Sequence, residues 1–130
     1  MTAPRLLVPL SFALLSACAQ QPTQPVELDA ESECPIRLQV GQPLTLSLPS
    51  NPSTGYRWHV ENPAATVLNS LGPEVYSAPE EEEMVGSAGV STWRYQATNV
   101  GTSQLVLVYQ QPWAKDVAPV QTFECKVIVR

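Results

Sequence analysis

Apolar and polar residues alternate along most of the chain from Cys34 onward, a pattern typical of strands that bury one face. The alternation is clear where Trp93, Tyr95 and Ala97 are separated by polar residues. Between residues 105 and 109 both faces are apolar, as in a central buried strand. The pattern predicts strands over residues 36–40, 43–48, 56–61, 66–71, 90–98, 102–110 and 120–129, with a weaker candidate at 74–76.

No window of the sequence places apolar residues at helical spacing over several turns. Seven or eight short strands in about 95 residues are typical of a sandwich of two antiparallel sheets. The sequence therefore predicts an all-β fold, namely an immunoglobulin-like β-sandwich of seven or eight strands. We expect it to form one domain over residues 34–130.

The first residues have the pattern of a signal peptide. Arg5 precedes an apolar run over residues 6–15, which is too short to span a bilayer. The run ends in Leu15-Ser16-Ala17-Cys18, which resembles the lipobox of bacterial lipoproteins, in which the cysteine is acylated. The alternative interpretation is a plain secretory signal followed by an unrelated cysteine.

The resemblance to a lipobox implies that residues 1–17 are removed and that Cys18 is the site of lipidation. Ala19 follows the cysteine, where an aspartate would be the familiar inner-membrane retention signal. We therefore expect an outer membrane lipoprotein that faces the periplasm. Residues 18–33 are expected to be the lipidated cysteine and a flexible tether, because they are rich in Gln, Pro, Thr and acidic residues.

The charge of the chain excludes some classes of partner. Its formal net charge is -5 at pH 7, and no cluster of Lys or Arg is present. Without residues 1–17 the charge becomes 6 − 12 = −6, because Arg5 is lost and no acid is lost. We therefore expect no binding to nucleic acid, and contact with a membrane only through the lipid anchor. A monomer is expected.

Two cysteines remain when Cys18 is set aside. Cys34 is in phase with the inward-facing Ile36, and Cys125 is in phase with the inward-facing Phe123. The first and last strands of such sandwiches are often neighbours, and the expected compartment is oxidising. We predict a Cys34–Cys125 disulfide; the alternative is two buried free thiols.

The sequence offers no reaction centre. His59 is the only histidine and lies on the polar face of its strand, between Arg57 and Glu61, without a nucleophile or an orienting group in the pattern. The acids of residues 80–83 point in divergent directions along the chain, which favours a solvated loop over a cation site. We expect no catalytic residue, no metal site and no cofactor, so function should lie in loops.

Three loops carry the strongest signal. Loop 1 is residues 51–56 and contains Asn51-Pro52-Ser53-Thr54-Gly55; loop 2 is Gly86-Ser87-Ala88-Gly89; loop 3 is Gln111-Pro112-Trp113. In order and type they resemble the NPTTG, GxGG and RPW loops of the chagasin family, inhibitors of papain-like cysteine peptidases. Ala88 and Gln111 depart from the family pattern, which has glycine and arginine at these positions. The resemblance covers about residues 36–129.

The resemblance implies a wedge mechanism, in which the three loops enter the cleft of a papain-like cysteine peptidase together. Thr54 would lie nearest the catalytic cysteine, and Trp113 would pack against aromatic surface of the enzyme. An alternative function is an envelope binding or scaffold module with a non-peptidase partner, favoured by Gln111 in place of arginine. The predicted peptidase-binding residues are Asn51, Pro52, Ser53, Thr54, Gly55, Tyr56, Gly86, Ser87, Ala88, Gly89, Gln111, Pro112 and Trp113.

Overall fold

The computed structural model describes residues 24–79 and 89–130. The predicted signal peptide, Cys18 and the acids of residues 80–83 lie outside the described residues. The described part contains nine strands: β1 (Val26–Leu28), β2 (Ile36–Leu38), β3 (Pro43–Ser50), β4 (Arg57–Pro63), β5 (Leu68–Ser70), β6 (Val75–Ser77), β7 (Gly89–Ala97), β8 (Gly101–Gln110) and β9 (Gln121–Val129).

The strands form two sheets that enclose one core, which confirms the predicted all-β sandwich. The first sheet has the order β1-β3-β7-β5, and β6 pairs with another part of β7. The second sheet has the order β2-β9-β8-β4. All pairs are antiparallel except β1 with β3 and β2 with β9. The predicted central strand over residues 105–109 is part of β8, which lies between β9 and β4.

Alternating side chains of both sheets fill the core, as the sequence pattern predicted. Leu44, Leu46, Leu105 and Leu107 are all 0% exposed. Tyr95 is also buried, and this burial raises the pKa of its phenol above the ordinary 10.0. These residues belong to β3, β7 and β8, so the core lies between the two sheets.

The predicted disulfide is present. Cys34 and Cys125 are joined, with a Cα–Cα distance of 5.4 Å. Cys34 lies two residues before β2 and Cys125 lies in β9, and β2 pairs in parallel with β9, with Ile36 opposite Val127. The bond closes a loop with a sequence separation of 91, and in the chain-entropy description so long a loop contributes about 4–5 kcal/mol to stability.

The prediction of a flexible tether is wrong for residues 26–33. Val26–Leu28 forms β1 at the edge of the first sheet, and Leu28 is only 1% exposed. Glu31–Glu33 forms one 3₁₀ turn, and the Glu31 carboxylate accepts a hydrogen bond of 2.7 Å from the backbone N–H of Glu124. These contacts join the segment to both sheets, so the folded domain begins before Cys34.

Two strand ends also differ from the prediction. β4 continues through Asn62 and Pro63, with a bulge between Val60 and Asn62, because proline is tolerated at the end of an edge strand. β2 ends at Leu38, and Val40 is 49% exposed instead of facing inward. The backbone N–H of Val40 bonds to the carbonyl of Arg130 across the end of the sandwich.

The strand directions define two ends of the sandwich. The loop pole is the end at which β3 and β8 finish and at which β4, β7 and β9 begin. The opposite pole holds the turn of residues 39–42 between β2 and β3 and the turn of residues 98–100 between β7 and β8. Within the described residues, no helix is long and apolar enough to cross a membrane.

Candidate functional site

Loops 1 and 3 lie side by side at the loop pole. Loop 1 connects β3 to β4, and loop 3 leaves the end of β8. β4 and β8 are paired, with Arg57 opposite Gln110, so the two loops leave adjacent strands at the same level. The wedge mechanism implied by the resemblance requires these two loops at one end of the sandwich, and they lie there.

Loop 1 holds its shape through its own hydrogen bonds. Pro52–Thr54 forms a single 3₁₀ turn, and the Asn51 side-chain oxygen accepts bonds from the Ser53 backbone N–H at 3.3 Å and the Ser53 hydroxyl at 2.5 Å. The Thr54 hydroxyl donates to the Asn51 carbonyl at 2.7 Å. Gly55 ends the turn with φ of 85°, a conformation that glycine adopts without a steric penalty. Both hydroxyls are therefore used to brace the loop from within.

An aromatic stack supports loop 1 from below. The Tyr109 hydroxyl accepts a hydrogen bond of 2.9 Å from the backbone N–H of Asn51. The Tyr109 ring stacks on Tyr56 with a centroid distance of 5.4 Å and packs against Trp58 at 4.8 Å. Sequence reasoning missed this role of Tyr109, because its partner lies 58 residues earlier in the chain. Tyr56, predicted to bind a peptidase, also forms part of this support.

Loop 3 lies against loop 1. The Trp113 indole covers Gly55 so closely that a Cβ at this position would lie 3.2 Å from its Cζ2 atom. The Gln111 amide donates a hydrogen bond of 3.3 Å to the Thr54 carbonyl. Trp113 is nevertheless 68% exposed, because only one part of the ring is covered. The predicted exposure of Trp113 in a loop is confirmed, and the two loops form one surface.

Of loop 2, only Gly89 is among the described residues; Gly86, Ser87 and Ala88 lie outside them. Gly89 is the first residue of β7 and pairs with Ser50, the residue that precedes loop 1. A Cβ at Gly89 would lie 2.6 Å from the Tyr76 hydroxyl, so only glycine fits without movement of neighbouring atoms. The end of loop 2 is therefore next to the start of loop 1.

Positive side chains flank loop 3 on the outer face of the second sheet. Arg57, His59 and Lys115 line a shallow cavity of about 420 Å³, together with Gln110 and Pro112. No sequence pattern links these residues, because Lys115 follows loop 3 whereas Arg57 and His59 belong to β4. Arg57 and Lys115 give this side of the loop pole a positive charge in a protein that is negative as a whole.

The loop pole is suited to binding and has no arrangement for bond cleavage among its described residues. His59 pairs with Val108 in the ladder between β4 and β8 and is exposed on the outer face. Across the described ranges, no group of three or more His, Cys, Asp or Glu side chains could hold a metal ion. A stiff polar turn beside an exposed indole is an arrangement that fits a groove of another protein.

Comparisons with known proteins find a matching family model and similar sequences. The family model described as "Chagasin family peptidase inhibitor I42" matches residues 37–127. Amoebiasin-2 of Entamoeba histolytica is 29% identical over 103 residues, covering 78% of this chain and 82% of that protein. Chagasin of Trypanosoma cruzi is 27% identical over 86 residues, covering 65% of this chain and 78% of that protein.

Solved structures show the same fold. The crystal structure of the cysteine protease inhibitor EhICP2 from Entamoeba histolytica aligns with a TM-score of 0.69 and 25% identity, covering 85% of this chain and 100% of that one. PbICP-C, solved in complex with falcipain-2, aligns with a TM-score of 0.54 and 16% identity over 87% of this chain and 96% of that one. The second likeness supports the fold alone.

Proposed function

This chain belongs to the chagasin family of peptidase inhibitors, and we propose that it is a reversible protein inhibitor of papain-like cysteine peptidases. The observation that carries the proposal is the union of loops 1 and 3 at the loop pole. Trp113 lies on Gly55, and Gln111 is bonded to the Thr54 carbonyl at 3.3 Å. Two segments distant in the sequence thus present one surface to a partner.

The proposed mechanism is a wedge that fills the substrate cleft. Loop 1 enters the centre of the cleft over the catalytic cysteine, with Thr54 nearest to the sulfur. Loop 1 is held by hydrogen bonds within its turn and by the Tyr109 hydroxyl, so it loses little conformational freedom when it docks. The side chains of Ser53 and Thr54 are small, which allows a close approach of the backbone to the enzyme.

Loops 2 and 3 bind on the two sides of loop 1. Residues 86–89 are proposed to lie along one side of the cleft as an extended segment, and Gly89 beside Ser50 is consistent with this position. Trp113 is proposed to pack against aromatic surface on the other side. An exposed indole is the type of side chain that dominates many protein interfaces.

Gln111 makes a contact within the protein but lacks the charge of the arginine in the family pattern. Its amide donates to the Thr54 carbonyl, so it holds loops 1 and 3 together. It carries no charge, and the proposed complex therefore lacks one charge-assisted contact with the peptidase. We propose that this substitution lowers affinity without changing the mode of binding.

We also propose that Cys18 is acylated and that the protein is a monomeric outer membrane lipoprotein facing the periplasm. The support is the order of residues 6–18, an apolar run that ends in small residues and a cysteine. Several acyl chains hold a protein firmly in a bilayer, because each buried CH₂ contributes about 0.8 kcal/mol.

The test of the inhibitory function is a titration of papain with the purified domain, residues 24–130. We expect stoichiometric and reversible loss of peptidase activity. Replacing residues 51–55 by a neutral linker of the same length should abolish inhibition while the circular dichroism spectrum stays that of the parent. Full papain activity in a micromolar excess of folded domain would contradict the proposal and favour a non-peptidase partner.

A further inference from the structure

The polypeptide enters the domain at the pole opposite the loops. β1 runs parallel to β3, with Val26 opposite Leu44 and Leu28 opposite Leu46. β3 begins at the opposite pole and ends at loop 1, so β1 also begins at the opposite pole. A hydrogen bond of 3.2 Å from the Gln42 amide to the Gln24 carbonyl places the first described residue beside the turn of residues 39–42.

The short connection to Cys18 limits how the domain can lie on a membrane. Five residues lie between Cys18 and Gln24, and the six Cα–Cα steps that join them span at most about 22 Å when fully extended. From Pro43 to Ser50, β3 rises about 24 Å from the opposite pole towards loop 1, which extends further still. The connection is therefore too short to return along the domain and bring the loop pole to the bilayer.

The surface of the opposite pole is compatible with lipid. Val100 is 71% exposed and Val40 is 49% exposed, one in each turn. The turns of residues 39–42 and 98–100 contain no carboxylate side chain, although the chain as a whole carries 12 Asp and Glu. The exposed Arg130 also lies at this pole, since its backbone bonds to Leu38 and Val40. Anionic head groups therefore meet no opposing carboxylate from these turns.

We propose that the opposite pole faces the bilayer and that the loop pole is directed away from it, into the aqueous phase. This inference rests on the proposed acylation of Cys18. It narrows the proposed function, because the peptidases within reach are those that diffuse in solution near the membrane. A peptidase whose cleft lies against the lipid surface is out of reach of loops 1 and 3.

The orientation is measured on the full-length lipoprotein, processed in bacterial cells and reconstituted in vesicles. A fluorescent donor is attached in turn to Val100→Cys and to Lys115→Cys, which are exposed positions at the opposite pole and beside loop 3. The acceptor is a head-group-labelled lipid in the same vesicles. We expect energy transfer to be several-fold more efficient from position 100 than from position 115.

Inserting a Gly/Ser linker of about 20 residues after Thr23 is the matched control, because a long flexible connection frees the domain to turn. We expect the difference between the two donors to shrink in this variant. Equal or reversed transfer in the parent protein would overturn the proposal. Detection of an unmodified Cys18 by mass spectrometry would also overturn the proposal. Energy transfer between labelled copies, showing that Val40 and Val100 pack against a second molecule of the protein, would overturn it as well.

The result is separable from the proposed function. Papain added outside the vesicles should be inhibited by the anchored protein to the same endpoint as by the soluble domain. If the soluble domain leaves papain active, the inhibitory function fails while the energy transfer still decides the orientation. If the soluble domain inhibits and the anchored protein does not, the orientation is contradicted and the function stands.

Discussion

The three tryptophans divide between two regions of the molecule. Trp58 and Trp93 are each 5% exposed, and their rings meet edge to face with centroids 6.5 Å apart. The Trp58 indole N–H donates a bond of 2.9 Å to the Pro49 carbonyl, which satisfies its polar atom inside the protein. Trp113 is 68% exposed and covers a glycine instead of entering the core.

We therefore expect Trp58 and Trp93 to contribute to the stability of the fold and Trp113 to contribute to the proposed binding. The buried pair fills space between the sheets, so its removal would leave a cavity. Trp113 buries little of its ring in the free protein and can bury the rest only against a partner. Substitutions in the two regions should therefore affect different measurements.

The largest effect is expected from Trp93→Ala. Removing a buried indole should lower the free energy of unfolding by about 3–5 kcal/mol, through lost burial and the cavity left behind. Denaturant unfolding followed by circular dichroism measures the loss. The fraction that remains folded should still inhibit papain. A folded Trp93→Ala variant without inhibition would contradict the idea that the buried tryptophans affect stability alone.

Trp113→Ala is expected to weaken inhibition and to leave stability almost unchanged. The inhibition constant for papain should rise by a factor that corresponds to about 2 kcal/mol, while the free energy of unfolding changes by less than about 0.5 kcal/mol. Val100→Ala is the matched control, because Val100 is 71% exposed at the other end of the sandwich. An unchanged inhibition constant for Trp113→Ala would remove Trp113 from the proposed interface.

Gly55→Ala tests the contact between the two loops. Alanine at φ of 85° should cost about 1 kcal/mol of stability, and its Cβ would also displace the Trp113 indole. Gly41→Ala is the control, because Gly41 has φ of 92° at the opposite pole and a Cβ there would meet no atom within 4 Å. Both variants should lose similar stability, but only Gly55→Ala should weaken inhibition. Equal inhibition by the two would contradict the coupling of loops 1 and 3.

The smallest effect is expected from Gln111→Arg. Arginine keeps N–H donors for the Thr54 carbonyl and adds a charge, so affinity should rise by about 1 kcal/mol or less at low salt. The gain should decrease as ionic strength rises. Gln104→Arg adds the same charge on β8 far from the loops and should leave the inhibition constant unchanged. Weaker inhibition by Gln111→Arg would show that the amide is the better residue here.

The alternation of apolar residues predicted most of this architecture, because burial of one strand face leaves a direct trace in the sequence. Strand phase put Trp93 on one face with Tyr95 and Ala97, and all three are buried. It also put Cys34 and Cys125 in phase with inward-facing residues of the first and last predicted strands, and the two cysteines are joined. The three loop motifs indicated which end of the sandwich to propose as the binding surface, and loops 1 and 3 meet at that end in the structure.

Contacts between distant segments left no comparable trace. β1 has only three residues in an acidic stretch, and its stability depends on pairing with β3, which no local pattern indicates. Tyr109 was recognised as a strand residue, but its hydroxyl bond to Asn51 depends on where β8 ends relative to β3. Periodicity shows which face is buried, whereas these contacts require the arrangement of the whole sandwich.

The buried position of Leu28 has a practical consequence for any shortened version of the protein. A polypeptide that started at Cys34 would lack the strand that covers one side of β3. The uncovered backbone groups and the vacated apolar groove would offer a template for pairing between molecules. Self-association of such a fragment would then result from the truncation and would not be a property of the longer chain.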